Sequence, residues 1–322
     1  MISDILMASL GLVILLLAGD ALVKGAVNLA LRIGVSALLV SLTIVAFGTS
    51  APELLISIAA IKDDAAGIAL GNVVGSNTAN ILLVLGVPAL IAGLDTETCE
   101  TQKTYVMMLI ASVLFIALAF LGPFTWWHGV ILLAGLTVVL GDAFRDAQAH
   151  RRVANANEDE DLDLEGADES MPGWKVATFL ILGLIGLPLG ADILVDSAVD
   201  IAAELGVPDT VIGLTLIAVG TSLPELATTV MAALRRQSDV ALGNVIGSNM
   251  FNLLAIIGIS TFVGPIPVDP SFLRFDLWVM LAASLLLAPF VFLRWHMGMG
   301  WGVALTGAYV AYLLVVSVGA VK

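Results

Sequence analysis

Two short stretches place a proline and a glutamate inside otherwise apolar sequence. The first is GTSAPE, residues 48–53, and the second is GTSLPE, residues 220–225. Proline lacks the N–H that a helix interior needs, and its ring clashes with the preceding turn, so each stretch should interrupt a helix. Proline is tolerated in a first helical turn, and Ser50 and Glu53 have the spacing of a capping box. We therefore predict two half-helices at each stretch, the second beginning near Ser50 and near Ser222.

The surrounding composition places both glutamates inside a membrane. The chain has 322 residues, of which 59% are hydrophobic and 12% are charged, whereas a soluble domain carries about 25% charged residues. Apolar runs long enough to span a bilayer recur throughout. We predict ten spanning helices, at residues 5–25, 37–61, 68–92, 104–121, 124–141, 174–195, 209–233, 240–264, 273–293 and 299–319. An ionised residue at this depth costs about 2.5–3.5 kcal/mol or more, which makes Glu53 and Glu225 candidate functional residues.

The residue types at the two breaks suit a hard cation. Backbone carbonyls freed by a helix break in lipid must be satisfied by another group, and Ca²⁺ takes six to eight oxygen ligands, often mixing carboxylates with carbonyls. Glu53 and Glu225 would give such a cage a charge of −2, which matches one Ca²⁺ or two Na⁺. Neither motif region contains Cys or His, which argues against a soft-metal site. Carbonyl and hydroxyl oxygens would come from Thr49, Ser50, Thr221 and Ser222.

The helix after each break carries a second polar motif. In the first copy Asn72, Ser76 and Asn80 are four residues apart and share one helix face. These side chains could be interhelical hydrogen-bonding groups, worth about 0.6 kcal/mol each. They could also present oxygens to the broken helix, which is the interpretation we favour. The residues that we place in or near the site on this basis are Ser76, Asn80, Ser248 and Asn252.

The two motifs belong to an internal duplication. Residues 48–86 align without a gap on residues 220–258, and 18 of the 39 positions are identical. Each half contains five predicted helices, and an odd number makes the second copy start on the opposite side of the membrane. Inverted repeats with interrupted helices are typical of secondary transporters, with the site near the midplane. We predict an all-α polytopic membrane protein of ten helices, built as two inverted five-helix repeats with helices 2 and 7 broken.

The division of the chain and its orientation follow from the charges. We assign residues 1–141 to the first repeat, 142–173 to an acidic linker and 174–322 to the second repeat. Ten of the 13 Lys and Arg residues fall on one side of the predicted helices, and that side should be cytoplasmic. We therefore expect the linker inside, both termini outside, and a prokaryotic cytoplasmic (inner) membrane as the location.

The chain resembles the sodium/calcium exchanger family of the cation/Ca²⁺ antiporter superfamily, prokaryotic type. The resemblance lies in the paired breaks, in the G-S-N-x-x-N motifs at residues 75–80 and 247–252, and in the layout of five plus five helices. The resemblance implies that Na⁺ entry drives Ca²⁺ export, with ion sites between helices 2, 3, 7 and 8. It implies that Glu53 and Glu225 are central carboxylates shared by both ions, and that the first helix of each half slides. It also implies backbone carbonyls from Thr49, Thr221, Ala46 and Ala218, and hydroxyls for Na⁺ from Ser50, Ser76, Ser222 and Ser248.

Several alternatives stay open from the residues alone. The proton/calcium exchanger branch lacks the T-S-x-P-E pattern at the break, so we favour Na⁺ over H⁺ as the counter-ion. The alternative is an H⁺/Ca²⁺ or other divalent cation antiporter on the same fold. Some family members carry Asp where this chain has Asn252, and its absence argues against K⁺ co-transport. We expect no enzymatic activity, no cofactor beyond the transported ions, no nucleic acid and no obligate protein partner.

Overall fold

The computed structural model describes residues 2–97, 99–156, 168, 170–205 and 218–320. Within these ranges nine helices are long and apolar enough to cross a membrane, which confirms nine of the ten predicted positions. The first half of the predicted seventh helix, residues 209–217, lies outside the described residues. The helices are α1 Ile2–Ile33, α2 Ala37–Lys62, α3 Ala66–Ile91, α4 Gln102–Ala119, α5 Trp126–Ala156, α6 Gly173–Glu204, α8 Ser238–Ser260, α9 Phe272–Phe292 and α10 Met299–Ala320. The described part of α7 comprises Ala218–Gly220 and Leu223–Leu234.

Some helices extend beyond the apolar runs that predicted them. Helix α1 continues to Ile33 and α5 continues to Ala156, well past the predicted ends at residues 25 and 141. The α5 extension, residues 142–156, contains five alanines and three arginines, residue types that favour helix in water as well as in lipid. Hydropathy gives the residue at which the apolar run ends, and the helix can continue beyond that residue. The α5 extension occupies the first half of the segment that we assigned to the linker.

Helix α2 is interrupted at Ser50, and α7 is interrupted in the same way at Ser222. The backbone angles are φ −86° and ψ 3° at Ser50, and φ −91° and ψ 5° at Ser222. The helix resumes at the next residue in each case, with proline in its first turn. The predicted breaks are therefore confirmed.

The predicted capping box at these breaks is wrong. Ser50 and Ser222 occupy the cap positions, but neither side chain bonds to its own helix. A capping serine normally has an extended backbone, which aims its hydroxyl at the first turn. With ψ near 0° at both serines, the hydroxyl points elsewhere.

The two repeats have closely matching local geometry. The half-helices Ala51–Lys62 and Leu223–Leu234 coincide after a shift of 172 residues. Two residues beyond each, Asp64 and Arg236 have positive φ values of 57° and 56°, the left-handed conformation that commonly ends a helix. A π-helical turn also begins at Asn80 in α3 and at Phe251 in α8. Such wide turns occur frequently at functional sites.

The first helices of the two repeats pack closely along each other. A Cβ atom on Gly11 of α1 would lie 2.7 Å from the backbone nitrogen of Leu194 in α6. In the matching contact, a Cβ atom on Gly183 of α6 would lie 2.5 Å from Cβ of Leu22 in α1. Small residues allow this approach between membrane helices. The contact uses the same positions of the two repeats, in exchanged roles.

Candidate cation site

The predicted site residues come together where α2, α3, α7 and α8 pack on one another. Glu53 is 1% exposed and Glu225 is fully buried. Thr221 is half-buried, and Ala218 begins the described part of α7. The other buried members of the predicted set are Ala46, Thr49, Ser50, Ser76, Asn80, Ser222, Ser248 and Asn252.

The carboxylate of Glu225 is contacted by the opposite repeat. The Ser50 hydroxyl, which does not cap its own helix, donates to Oε1 of Glu225 at 3.3 Å. The Thr49 hydroxyl lies 3.4 Å from the Ser248 hydroxyl and 3.3 Å from Oδ1 of Asn244. The breaks of the two repeats therefore form one site and not two.

The backbone at each glutamate is held by an asparagine from the next helix. Nδ2 of Asn72 donates to the Glu53 carbonyl at 3.3 Å, and Nδ2 of Asn244 donates to the Glu225 carbonyl at 3.4 Å. The Thr229 hydroxyl also donates to the Glu225 carbonyl, at 2.7 Å. These bonds fix the first turn of each half-helix, and with it the position from which the glutamate side chain extends.

Asparagines also join the two polar helices directly. Nδ2 of Asn77 in α3 donates to the Asn249 carbonyl in α8 at 3.2 Å, and Nδ2 of Asn249 donates to the Asn77 carbonyl at 3.3 Å. Nδ2 of Asn80 donates to Oδ1 of Asn249, and Nδ2 of Asn252 donates to Oδ1 of Asn77, both at 3.0 Å. The four bonds form two equivalent pairs under the 172-residue shift.

Six oxygen atoms of the predicted site are buried without a hydrogen-bond partner among the described residues. An unsatisfied buried polar group costs about 1–3 kcal/mol, so six in one region need a physical explanation. A hard cation coordinated by oxygen supplies one, since two of the six atoms belong to carboxylates and the rest are neutral acceptors. The atoms are Oε2 of Glu53 and Glu225, Oδ1 of Asn80 and Asn252, and Oγ of Ser76 and Ser222.

The backbone carbonyl of Ala46 is the weakest of the predicted oxygens. It accepts the Ser50 N–H at 3.0 Å and the Thr49 hydroxyl at 3.3 Å. The Gly48 carbonyl, by contrast, cannot receive the usual bond from four residues ahead, because Pro52 has no N–H. The break therefore frees a carbonyl two residues beyond Ala46.

Sequence reasoning missed the supporting role of four asparagines. The residues that we placed in or near the site did not include Asn72 or Asn244, and we did not single out Asn77 and Asn249. The available signal was that each of these asparagines recurs 172 residues later, as Glu53 does in Glu225. Side chains that only face lipid need not be retained in both copies. Spacing alone could not show which of them contact the opposite repeat.

Several known proteins resemble this chain over most of its length. The profile of the family described as sodium/calcium exchanger protein matches residues 3–141 and 175–318. The sodium/calcium exchanger MaX1 of Methanosarcina acetivorans is 38% identical over 97% of this chain and 98% of its own. The putative antiporter CaxA of Alkalimonas amylolytica is 36% identical over 86% of each chain. Inner membrane protein YrbG of Escherichia coli is 33% identical over 94% of this chain and 93% of its own.

A solved structure shares the whole fold. The sodium-calcium exchanger NCX_Mj superimposes with a TM-score of 0.81 at 31% identity, covering 98% of this chain and 99% of its own. The match extends through both repeats, both breaks and the intervening helices. It supports an integral membrane antiporter and not an enzyme. The chain belongs to the sodium/calcium exchanger family.

Proposed function

We propose that the protein is a secondary active antiporter that exchanges Na⁺ for Ca²⁺ by alternating access. The ions bind between the breaks in α2 and α7 and the polar faces of α3 and α8. The six unpartnered buried oxygens, supplied by both repeats, carry this proposal. Without a bound ion these oxygens destabilise the protein, whereas a hard cation bound there would use them as ligands.

Competition for one pair of carboxylates couples the two ions. Glu53 and Glu225 supply two negative charges at a depth where an uncompensated charge is unfavourable. One Ca²⁺ or two Na⁺ neutralises them, and both cannot do so at once. The loaded forms can then cross between the two access states, whereas the form without cations carries a buried charge and should not.

The inverted repeat gives the access change a structural basis. Each repeat can in principle adopt the conformation of the other, which exchanges the open and closed sides. Helices α1 and α6 approach each other closely at glycines on both helices, and this contact suits two helices that slide together past the rest of the protein. The excess of Lys and Arg on one side supports a cytoplasmic linker and external termini in a prokaryotic inner membrane.

The test is Ca²⁺ uptake into proteoliposomes that contain Na⁺ and are diluted into Na⁺-free buffer. Wild type should take up radioactive Ca²⁺ only with the outward Na⁺ gradient. Glu53→Gln and Glu225→Gln should lose this uptake, because each removes one of the two shared charges. Asp276→Asn is the matched control, since Asp276 belongs to neither motif and the new amide oxygen can still accept the Tyr312 hydroxyl 3.0 Å away.

The same vesicles discriminate between the counter-ions. If uptake is driven by an outward H⁺ gradient and does not depend on Na⁺, the counter-ion is H⁺. The carboxylates would then still be the shared site. Uptake without any counter-gradient would indicate a channel. Absence of uptake in folded wild-type protein under both gradients would exclude Ca²⁺ as the transported ion.

A further inference from the structure

Asn77 and Asn249 form a crossed pair between the repeats. They are counterparts under the 172-residue shift, both are 1% exposed, and each donates its amide to the backbone carbonyl of the other. Two equivalent residues that contact each other must lie at the axis that relates the repeats. The pair therefore joins α3 to α8 at the centre of the molecule.

The backbone carbonyls determine how these amides are turned. A carbonyl only accepts, so the nitrogen of Asn77 must face the Asn249 carbonyl and its oxygen must face away. That oxygen also only accepts, so Asn252 must turn its nitrogen toward it, at 3.0 Å. The same reasoning applies to the second chain of bonds. The nitrogen of Asn249 must face the Asn77 carbonyl, so its oxygen faces away and accepts from the nitrogen of Asn80 at 3.0 Å.

One oxygen remains at the end of each chain of hydrogen bonds. These are Oδ1 of Asn252 and Oδ1 of Asn80, both buried and without a hydrogen-bond partner among the described residues. We infer that Asn77 and Asn249 are positioning residues that orient Asn252 and Asn80, each in the opposite repeat, with the amide oxygen toward the transported cation. The inference rests on the proposed function, which supplies the bound cation that would partner those oxygens.

The network also selects the chemistry of the two ligands. An ionised aspartate at position 252 or 80 would place an acceptor against the acceptor oxygen of Asn77 or Asn249, without a proton between them. The crossed pair therefore favours neutral amides at both positions. It keeps the charge of the cage at the −2 of Glu53 and Glu225, which limits the set of cations that neutralise it.

Side-chain amide exchange tests the network without any cation. In protein labelled with ¹⁵N-asparagine, NMR should show slow solvent exchange for the NH₂ groups of Asn80 and Asn252. Asn77→Leu, which has a similar shape, should accelerate exchange at Asn252 about tenfold and leave Asn80 protected, as expected for loss of one hydrogen bond. Asn249→Leu should do the reverse. Release of the amide in the same repeat, or of neither amide, would overturn the crossed network.

Cation binding tests the positioning role. Ca²⁺ should raise the melting temperature of the wild type by mass action. In Asn77→Leu and Asn249→Leu the Ca²⁺ concentration needed for half of that shift should rise about tenfold, and the transport KM should rise with little change in maximal rate. Thr78→Val is the matched control: it loses a buried bond from its hydroxyl to the Val74 carbonyl at 3.0 Å, which should lower the melting temperature without changing Ca²⁺ affinity.

The outcomes separate the two proposals. Unchanged Ca²⁺ affinity in Asn77→Leu, despite release of the Asn252 amide, would overturn the positioning role while the proposed function stands. Wild-type protein that shows the crossed exchange pattern, but no response to Ca²⁺ or Na⁺, would overturn the proposed function and with it the orientation toward a cation. A crossed pattern together with weakened binding in both variants supports both proposals.

Discussion

At the scale of single residues, the two serines at the helix breaks differ although their motifs match. Ser50 donates to Glu225 at 3.3 Å, whereas the Ser222 hydroxyl is buried and has no hydrogen-bond partner in the described part of the chain. The site is thus asymmetric despite the symmetry of the sequence. A hydroxyl bonded to a carboxylate stabilises the protein itself, while an unpartnered hydroxyl can contribute only through a bound ion.

This difference predicts opposite effects of two alanine substitutions on cation-free protein. Ser50→Ala should lower the free energy of unfolding by about 1.5–3 kcal/mol, because it removes a hydrogen bond to a charged group. Ser222→Ala should leave it unchanged or raise it, because it removes an unsatisfied buried group. Both should weaken cation binding. Thermal unfolding with and without Ca²⁺ measures both effects.

Ser284→Ala provides the reference for an ordinary buried serine. Its hydroxyl donates to the Met280 carbonyl at 3.0 Å in α9, so its loss should reduce stability by about 1 kcal/mol and leave the Ca²⁺ response intact. If Ser222→Ala destabilised the cation-free protein as much as Ser284→Ala does, its hydroxyl would have a structural partner and no special role toward the ion.

At the scale of elements, the contact between α1 and α6 depends on the absence of side chains. A Cβ atom on Gly190 would lie 2.8 Å from the Leu15 nitrogen, and one on Gly11 would meet Leu194 at 2.7 Å. These neighbours are backbone atoms, which cannot turn aside as a side chain can. The two helices must therefore separate if either glycine is replaced.

We expect Gly11→Ala and Gly190→Ala to lower stability by about 1–3 kcal/mol, the usual effect of overpacking, and to slow transport if these helices slide together. Gly307→Ala in α10 is the control, since its Cβ would contact no described atom within 4 Å. Alanine should there stabilise the helix by about 0.5–1 kcal/mol. Thermal unfolding and vesicle uptake of the three variants measure these effects. Equal behaviour of all three variants would contradict the prediction.

At the scale of the whole molecule, one ion-pair cluster breaks the symmetry between the two sides. Asp20 of α1 binds Arg235, at the end of α7, at 2.5 Å and also binds Lys24 at 3.1 Å. Asp20 and Lys24 lie four residues apart on α1, and Arg235 adds a partner from the other repeat. The repeat counterparts of these residues are Asp192, Asp63 and Asp196, which are all acidic. Acidic side chains cannot form an ion pair with one another. The ion pair between α1 and α7 therefore has no equivalent at the counterpart positions of the two repeats.

A double-mutant cycle should detect this link. Asp20→Asn and Arg235→Gln should each destabilise the protein, and the double variant should lose about 1 kcal/mol less than the sum, as for residues in direct contact. Asp192→Asn combined with Arg235→Gln should be additive, because no ion pair or hydrogen bond joins these two residues in the part of the chain that the structure describes. Additivity in both cycles, measured by denaturant or thermal unfolding, would show that the ion pair contributes no coupling.

The sequence by itself determined the helices, the repeat and the residue types of the site. Spanning helices are recognisable because lipid demands about 20 consecutive apolar residues. Glu53 and Glu225 stood out because each interrupts such a run, and because the second copy confirmed the first. The helix breaks were predictable because proline acts within one turn of its own position. These features depend on neighbours close along the chain.

Only the tertiary structure decided which polar groups meet. Ser50 had the spacing to cap its own helix, but it bonds to Glu225, 175 residues away. Asn77 contacts Asn249, its counterpart 172 residues later. Contacts across two repeats leave no periodic pattern in the sequence, because hydropathy and local propensity describe one segment at a time. Whether an asparagine is a ligand or orients one depends on where its amide points, and the opposite repeat sets that direction.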